Sequence, residues 1–301
     1  MAQHIEGPLY HERMGRSGRP MVFVHPNPMD QSCWLFQMAH FSSWFRCIAI
    51  DVPGYGRSPK ATQGLTLADM AQGCWEAVAE ALSADSVEAL GTDSLEALGT
   101  DGAILVGCSV GSSIVQQMHH LRPKQTAALV LSGTGWHPPE QNAPFVPARI
   151  EDYAREGLEF RWRYTFQDLS PSFGATPLAH YFAKMFMERN ASADLKSILH
   201  QFRALGAPRA ADFYSGIQCP VLLLSGTEDG AHASAFKLRD RIPGCEMHVM
   251  PGAGHACHME QPWLFDERVI DFLKARSLFQ WNPYSGERTF AGTSRGPRPY
   301  P

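Results

Sequence analysis

A chain of 301 residues, 44% of them hydrophobic, with a formal net charge of −4, can bury the core of one large α/β domain with an insertion, or of two modest domains. The charge gives no footing for nucleic acid or anionic membranes, and no apolar run nears the roughly 20 residues that span a bilayer. The N-terminal "MAQHIEGPLYHERMG" has no signal-peptide core, so a cytoplasmic protein without membrane partners is expected.

Taken in chain order, "EGPLYHERMG" (6–15) is expected to supply an antiparallel edge strand. Nearly continuous apolar runs follow at 21–26, 46–54, 103–107, 127–133, 220–226 and 245–252. Continuity, rather than alternation with polar residues, predicts strands buried on both faces of a parallel sheet. Helical spacing separates them. "TLADMAQGCWEAVAEAL" (66–82) places Leu67, Met70, Ala71, Cys74, Ala77, Val78 and Leu82 on one face, with Thr66 or Asp69 at its start. "SSIVQQMHHLR" (112–122) stops at Pro123, and "LFDERVIDFLKA" (264–275) closes the series. The pattern predicts an α/β fold with a doubly wound, mostly parallel sheet.

The alternation breaks between 137 and 214, where aromatic and methionine-rich helical stretches contain no strand run. The expected organisation is a core at 1–136 and 215–279, a helical cap at 137–214, and a disordered tail at 280–301. The tail could instead dock through Trp281 and Phe290. "DSVEALGT" (85–92) is repeated at once as "DSLEALGT" (93–100), a local expansion too short for a solenoid. Seven cysteines (33, 47, 74, 108, 219, 245, 257) occur singly, with no C-x-x-C pair, which argues against a disulfide framework or a structural zinc site. His255 and His258 could share a helical face, but two ligands with no nearby acid or thiol make a weak metal site, and neither a metal nor another cofactor is expected.

Chemistry concentrates in "AILVGCSVGSSIVQQ" (103–117). A buried strand breaks at Ser109 and resumes as a helix, the context that gives G-x-S-x-G its meaning. The turn strains the middle residue, and Gly107 and Gly111 remove the side chains that would collide beside it. Ser109 Oγ is then lifted clear of the sheet, and the Val110 N–H at the helix start can hold an oxyanion. A serine hydroxyl needs a base. His255 follows the last strand in "MPGAGHACHMEQP", with His258 in reserve. The base needs an orienting acid. "LLLSGTEDGAH" supplies Asp229 beyond the preceding strand, whereas Glu228 would point elsewhere. Cys108 reads as a small packed side chain, because only the middle residue of the turn is presented.

From about residue 19 to 275 the chain resembles the α/β-hydrolase family of serine hydrolases, in its cap-bearing branch of esterases, lactonases and C–C hydrolases. Beyond the elbow, "DVPGYGRS" (51–58) is similar to the family's D-x-x-G-x-G-x-S loop, and "GHACHMEQP" to its G-H-x-x-x-x-E-x-P ending. The order Ser109, Asp229, His255 is that of the family's triad. One position departs: "HPNPMDQSCW" has Pro26 where the family has the glycine of H-G-x-P. Proline lacks an N–H, so the resemblance puts the second oxyanion donor at Asn27. The "NP" loop is similar to that of haloalkane dehalogenases, but their elbow carries an aspartate, and Ser109 suits a carbonyl instead.

The expected activity is hydrolysis of a carboxylic ester or lactone of a hydrophobic or aromatic small molecule through an acyl-enzyme. Arg161 or Arg163 in "RWRYTF" is a candidate carboxylate ligand, though solvated surface arginine is the blander role. The alternatives are a C–C hydrolase of diketone-like compounds, whose histidine is commonly followed by tryptophan rather than Ala256, and a ligand receptor on the same fold.

Overall fold

The computed structural model describes residues 3–83 and 102–279, with the backbone alone at 160–162. The tandem repeat and the tail from Gln280 lie outside the described residues. Seven strands form one sheet: β1 (His11–Met14), β2 (Pro20–Val24), β3 (Arg46–Ile50), β4 (Ala103–Cys108), β5 (Thr126–Ser132), β6 (Val221–Gly226) and β7 (Glu246–Met250). Their order is β1-β3-β2-β4-β5-β6-β7. All neighbours are parallel except β1, which pairs antiparallel with β3 at the edge, His11 opposite Ile50.

Helices on both faces explain the unbroken apolar strands. Along β2, Val22 and Val24 join one core cluster while Met21 and Phe23 join the other. The first core packs under α2 (Leu67–Ser83) and α3 (Val110–Leu121), and the second under α1 (Leu35–Phe41) and α11 (Pro262–Lys274). Each fully buried large apolar side chain contributes about 1.5–3 kcal/mol, so a strand such as "AILVGC", buried throughout, is fixed in register by both layers at once. Trp75 of α2 adds a bond from Nε1 to the Met118 carbonyl of α3, 2.9 Å away. The start of α2 is a capping box. Asp69 N donates to Thr66 Oγ1 at 3.1 Å, and Thr66 N donates back to Asp69 Oδ2 at 3.0 Å.

Between β5 and β6 the described chain is helical: α4 (Val146–Glu156), α5 (Arg161–Gln167), α6 (Pro171–Gly174), α7 (Pro177–Arg189) and α8 (Leu195–Gly206). After β6 come α9 (His232–Arg239) and, after β7, the short α10 (Cys257–Glu260). The five inserted helices are tied to loops at the carboxyl ends of the strands. Asp30, buried beyond β2, accepts from Asn190 Nδ2 at 2.9 Å and from Arg189 Nε at 3.2 Å. Asp194 N donates to the Gly54 carbonyl beyond β3 at 3.0 Å, and Ala256 N beyond β7 donates to the Asp168 carbonyl at 3.0 Å. These bonds hold the helices over the end of the sheet where catalytic groups gather in open α/β folds.

Candidate active site

A single residue separates β4 from α3. Ser109 takes φ 55° and ψ −118°, a conformation that costs a non-glycine residue on the order of 1–3 kcal/mol. The two flanking glycines make the turn possible. A Cβ on Gly107 would lie 2.5 Å from the Gly111 carbonyl carbon, and one on Gly111 would lie 2.1 Å from the Val24 carbonyl oxygen of β2. Ser109 N donates to the Ser132 carbonyl at 3.0 Å, and Ser112 Oγ sits 2.8 Å from the carbonyls of both Gly107 and Ser132. The turn is thereby clamped between β2, β4 and β5. Val110, as the first residue of α3, has an N–H without an intrahelical partner.

His255 and Asp229 meet at the ends of β7 and β6. His255 Nδ1 lies 2.9 Å from Asp229 Oδ1, which also accepts from Ala231 N at 2.8 Å. Asp229 is 7% exposed, whereas the neighbouring Glu228 faces solvent. A Cβ on Gly133, next to the Ser132 that binds Ser109, would lie 3.2 Å from His255 Cε1 and 3.0 Å from Cys108 Sγ. The imidazole therefore packs beside the elbow. Ser109 Oγ and His255 Nε2 are not hydrogen-bonded here, and such bonds often tighten only when substrate is bound. Burial works against charge on His255, but the carboxylates of Asp229 and Asp168 outweigh it and push its pKa up to about 9. Asp229 is opposed by burial and lowered by the charge and hydrogen bond of His255.

The histidine loop is itself held. Glu260 Oε1 accepts from Gly254 N at 2.9 Å and from Ser170 N at 3.0 Å, which gives the glutamate of the G-H-x-x-x-x-E-x-P pattern a structural task. In the D-x-x-G-x-G-x-S loop, Asp51 accepts from Gln31 N at 2.8 Å and Arg57 N at 3.0 Å. Any side chain on Gly56 would strike the Asp51 carboxylate, 2.0 Å from its Cβ position.

His258 is no base. It is fully buried, stacked on Trp34 with centroids 4.0 Å apart, and burial pushes it down to about 3. Cys108 is also buried, and desolvation holds its thiol well above the usual range, so it stays protonated. Among the described residues, no group of three His, Cys, Asp or Glu side chains is placed to hold a metal.

The loop after β2 carries Asn27, half-buried. Its shape is set by His25, whose Nε2 accepts from Val52 N at 2.9 Å while Nδ1 lies 2.8 Å from the Pro26 carbonyl. With one nitrogen accepting and the other donating, the ring is neutral, and burial lowers its pKa accordingly. Proline at position 26 therefore keeps the carbonyl that the histidine needs and gives up only an N–H.

Three residues that the sequence patterns did not single out face this space from the inserted helices. Tyr153 of α4 is buried and donates to Asn27 Oδ1 at 3.4 Å. Asp168, following α5, acts electrostatically on His255, and burial pushes it up to about 6. Arg149, one turn before Tyr153, acts on His255, Asp168 and Tyr153. Their only sequence signal is the i, i+4 spacing of Arg149 and Tyr153. Arg163 is exposed and the Arg161 side chain lies outside the described residues; among the described residues, Arg149 is the arginine whose charge reaches His255. A separate groove of about 1080 Å³, lined by His120, His200, Arg203, Arg209 and Phe213 among others, contains none of Ser109, Asp229 or His255.

Comparison with known proteins adds a family. Residues 21–265 match the model of the alpha/beta hydrolase family. The chain is 25% identical over 261 residues to the dihydrolipoyllysine-residue acetyltransferase component of the acetoin cleaving system of Pseudomonas putida, covering 86% of this chain but only 65% of that protein. It is 25% identical over 223 residues to the (E)-2-((N-methylformamido)methylene)succinate hydrolase of Acinetobacter baylyi, covering 70% of this chain and 73% of that one. Among solved structures, Est816, described as an N-acyl homoserine lactone degrading enzyme, superposes with a TM-score of 0.69 at 26% identity, covering 89% of this chain and 99% of that one.

Proposed function

Because the chain belongs to the alpha/beta hydrolase family, we propose that it is a serine hydrolase cleaving a carboxylic ester or lactone of a hydrophobic small molecule through an acyl-enzyme. In this reading residues 1–136 and 215–279 form the catalytic core, and 137–214 form a cap that shelters the reaction from water.

Ser109 Oγ attacks the carbonyl carbon, and His255 Nε2 takes its proton. Asp229, bonded to Nδ1 on the far side of the ring, fixes the tautomer and stabilises the imidazolium. The oxyanion is held by the N–H groups of Val110 and Asn27, the first reinforced by the positive end of α3. Collapse of the tetrahedral intermediate expels the alcohol, which receives the proton from His255. Water, activated by the same imidazole, then attacks the acyl-enzyme and releases the acid and Ser109.

The observation that carries this reading is Ser109 held at φ 55° between two glycines that tolerate no side chain, beside a histidine bonded at 2.9 Å to a buried aspartate. A turn that merely linked strand to helix would have no use for a strained serine. The test is Ser109→Ala against a panel of p-nitrophenyl esters and lactones. Turnover and labelling by a fluorophosphonate should both vanish, and their survival would end the assignment.

A further inference from the structure

The helical wall of the site holds a cation that the triad does not use. Arg149 and Tyr153 are four residues apart on α4 and so lie on one face of that helix. The Arg149 guanidinium carbon lies 3.9 Å from the centroid of the Tyr164 ring, a stacking contact that limits where the group can turn. Its Nη1 is buried and meets no hydrogen-bond acceptor. Buried charged donors are normally paired, because leaving one unpaired forfeits its hydration without return.

Tyr164 in turn stacks on Tyr153, with ring centroids 5.1 Å apart, which sets the guanidinium in the cluster of rings beside Asn27. Arg149 acts on Tyr153, on Asp168 and on His255, and Tyr153 in turn touches Asn27 on the proposed oxyanion loop. The cation thus borders the space between that loop and the imidazole. No hydrogen bond or ion pair joins Arg149 to Asp168. A planar guanidinium is matched to a carboxylate, and the unpartnered Nη1 is a donor open to one of its oxygens.

We propose that Arg149 binds a carboxylate carried by the substrate, so that the ester or lactone cleaved here has an anionic arm a few bonds from the scissile carbonyl. The inference rests on Ser109, His255 and Asp229 acting as the triad. A carboxylate matches the planar guanidinium in shape and carries the smaller charge to place beside Asp168, so it fits better than a phosphate dianion. Burial already pushes Asp168 up to about 6, which eases the entry of an anion beside it.

The experiment compares p-nitrophenyl hydrogen adipate with its methyl-capped counterpart, esters that differ only in the distal carboxylate, in wild type, Arg149→Gln and Arg149→Lys. The wild type should favour the free acid by about 10–100-fold in kcat/KM, the range of one charged hydrogen-bonded contact. The ratio should collapse towards one in Arg149→Gln and recover in part in Arg149→Lys. No preference in the wild type, or a preference that survives Arg149→Gln, overturns the proposal. An equal loss on both esters also overturns it, by making Arg149 a packing residue. Calorimetric titration of adipate into Ser109→Ala separates this from the triad reading. Should neither ester be turned over in a Ser109-dependent way, the triad fails. Adipate binding lost in Ser109→Ala/Arg149→Gln would still uphold the anion site, and binding indifferent to Arg149 would refute it.

Discussion

Gly111→Ala is the sharpest test of the elbow, because the structure states what the added methyl meets. Its Cβ would stand 2.1 Å from the Val24 carbonyl oxygen and 3.0 Å from that of His25. Both are backbone atoms at the end of a central strand, so neither can swing aside as a side chain would. Restoring an ordinary contact of about 3.4 Å requires the start of α3 to retreat by roughly 1.3 Å from β2. That motion carries Ser109 and the Val110 N–H away from the Asn27 loop, which follows directly on Val24 and His25. Overpacking of this kind costs about 1–3 kcal/mol, and a misplacement near 1 Å costs about 100-fold in rate. The expected result is a fall of about 100-fold in kcat/KM for p-nitrophenyl acetate, with a melting temperature lower by roughly 2–10 °C. Gly230→Ala is the control. It lies beside Asp229, yet a Cβ there meets nothing within 4 Å, and its rate and melting temperature should match the wild type. Full activity with unchanged melting in Gly111→Ala would refute the steric account of the elbow.

Four further outcomes follow from the same geometry. Asp229→Asn removes the charge behind His255 and should lower kcat by about 10⁴-fold while the circular dichroism spectrum stays that of the wild type; a drop of less than tenfold would show that another acid serves. Because an imidazolium cannot accept a proton, kcat/KM on a neutral ester should fall as the pH drops through the raised value near 9 of His255. Asp168→Asn takes away one of the two carboxylates that favour the imidazolium, so the acidic limb of the profile should move to lower pH, and a limb left in place would mean that Asp168 does not reach the ring. Cys108→Ala should still be labelled by a fluorophosphonate, since the buried thiol stays protonated; loss of labelling with the fold intact would make Cys108 a participant.

The sheet was legible because parallel strands are covered on both faces, and continuous apolar runs have no other economical use in a chain of this size. Six such runs became β2 to β7, and "EGPLYHERMG" became the antiparallel edge at β1. Boundaries were less legible than elements. The run at 46–54 yields a strand only to Ile50, because Asp51 leaves the sheet to tie the following loop through its carboxylate. Likewise α3 begins at Val110 rather than Ser112. The turn is one residue long, and apolar spacing cannot show how sharply a chain bends.

The site divides along the same line. Ser109, Asp229 and His255 stand at the ends of strands, where the local backbone demands particular neighbours, and those demands leave patterns: paired glycines at the elbow, glycines before the histidine, a glutamate to hold its loop. Arg149, Tyr153 and Asp168 obey no such local rule. Each reaches the site only because α4 and the turn after α5 are fastened above the strand ends, through bonds such as Ala256 N to the Asp168 carbonyl at 3.0 Å. In "VPARIEDYARE" the arginine looks like any solvated charge, and the Tyr164 ring it packs on, 3.9 Å from the centroid, belongs to a helix later in the chain. On the proposed reading, the groups that break bonds are constrained by the turn they sit on, and those that select the substrate by a fastening far away in the chain. A relative that keeps the triad while changing the inserted helices would keep the chemistry and exchange the substrate.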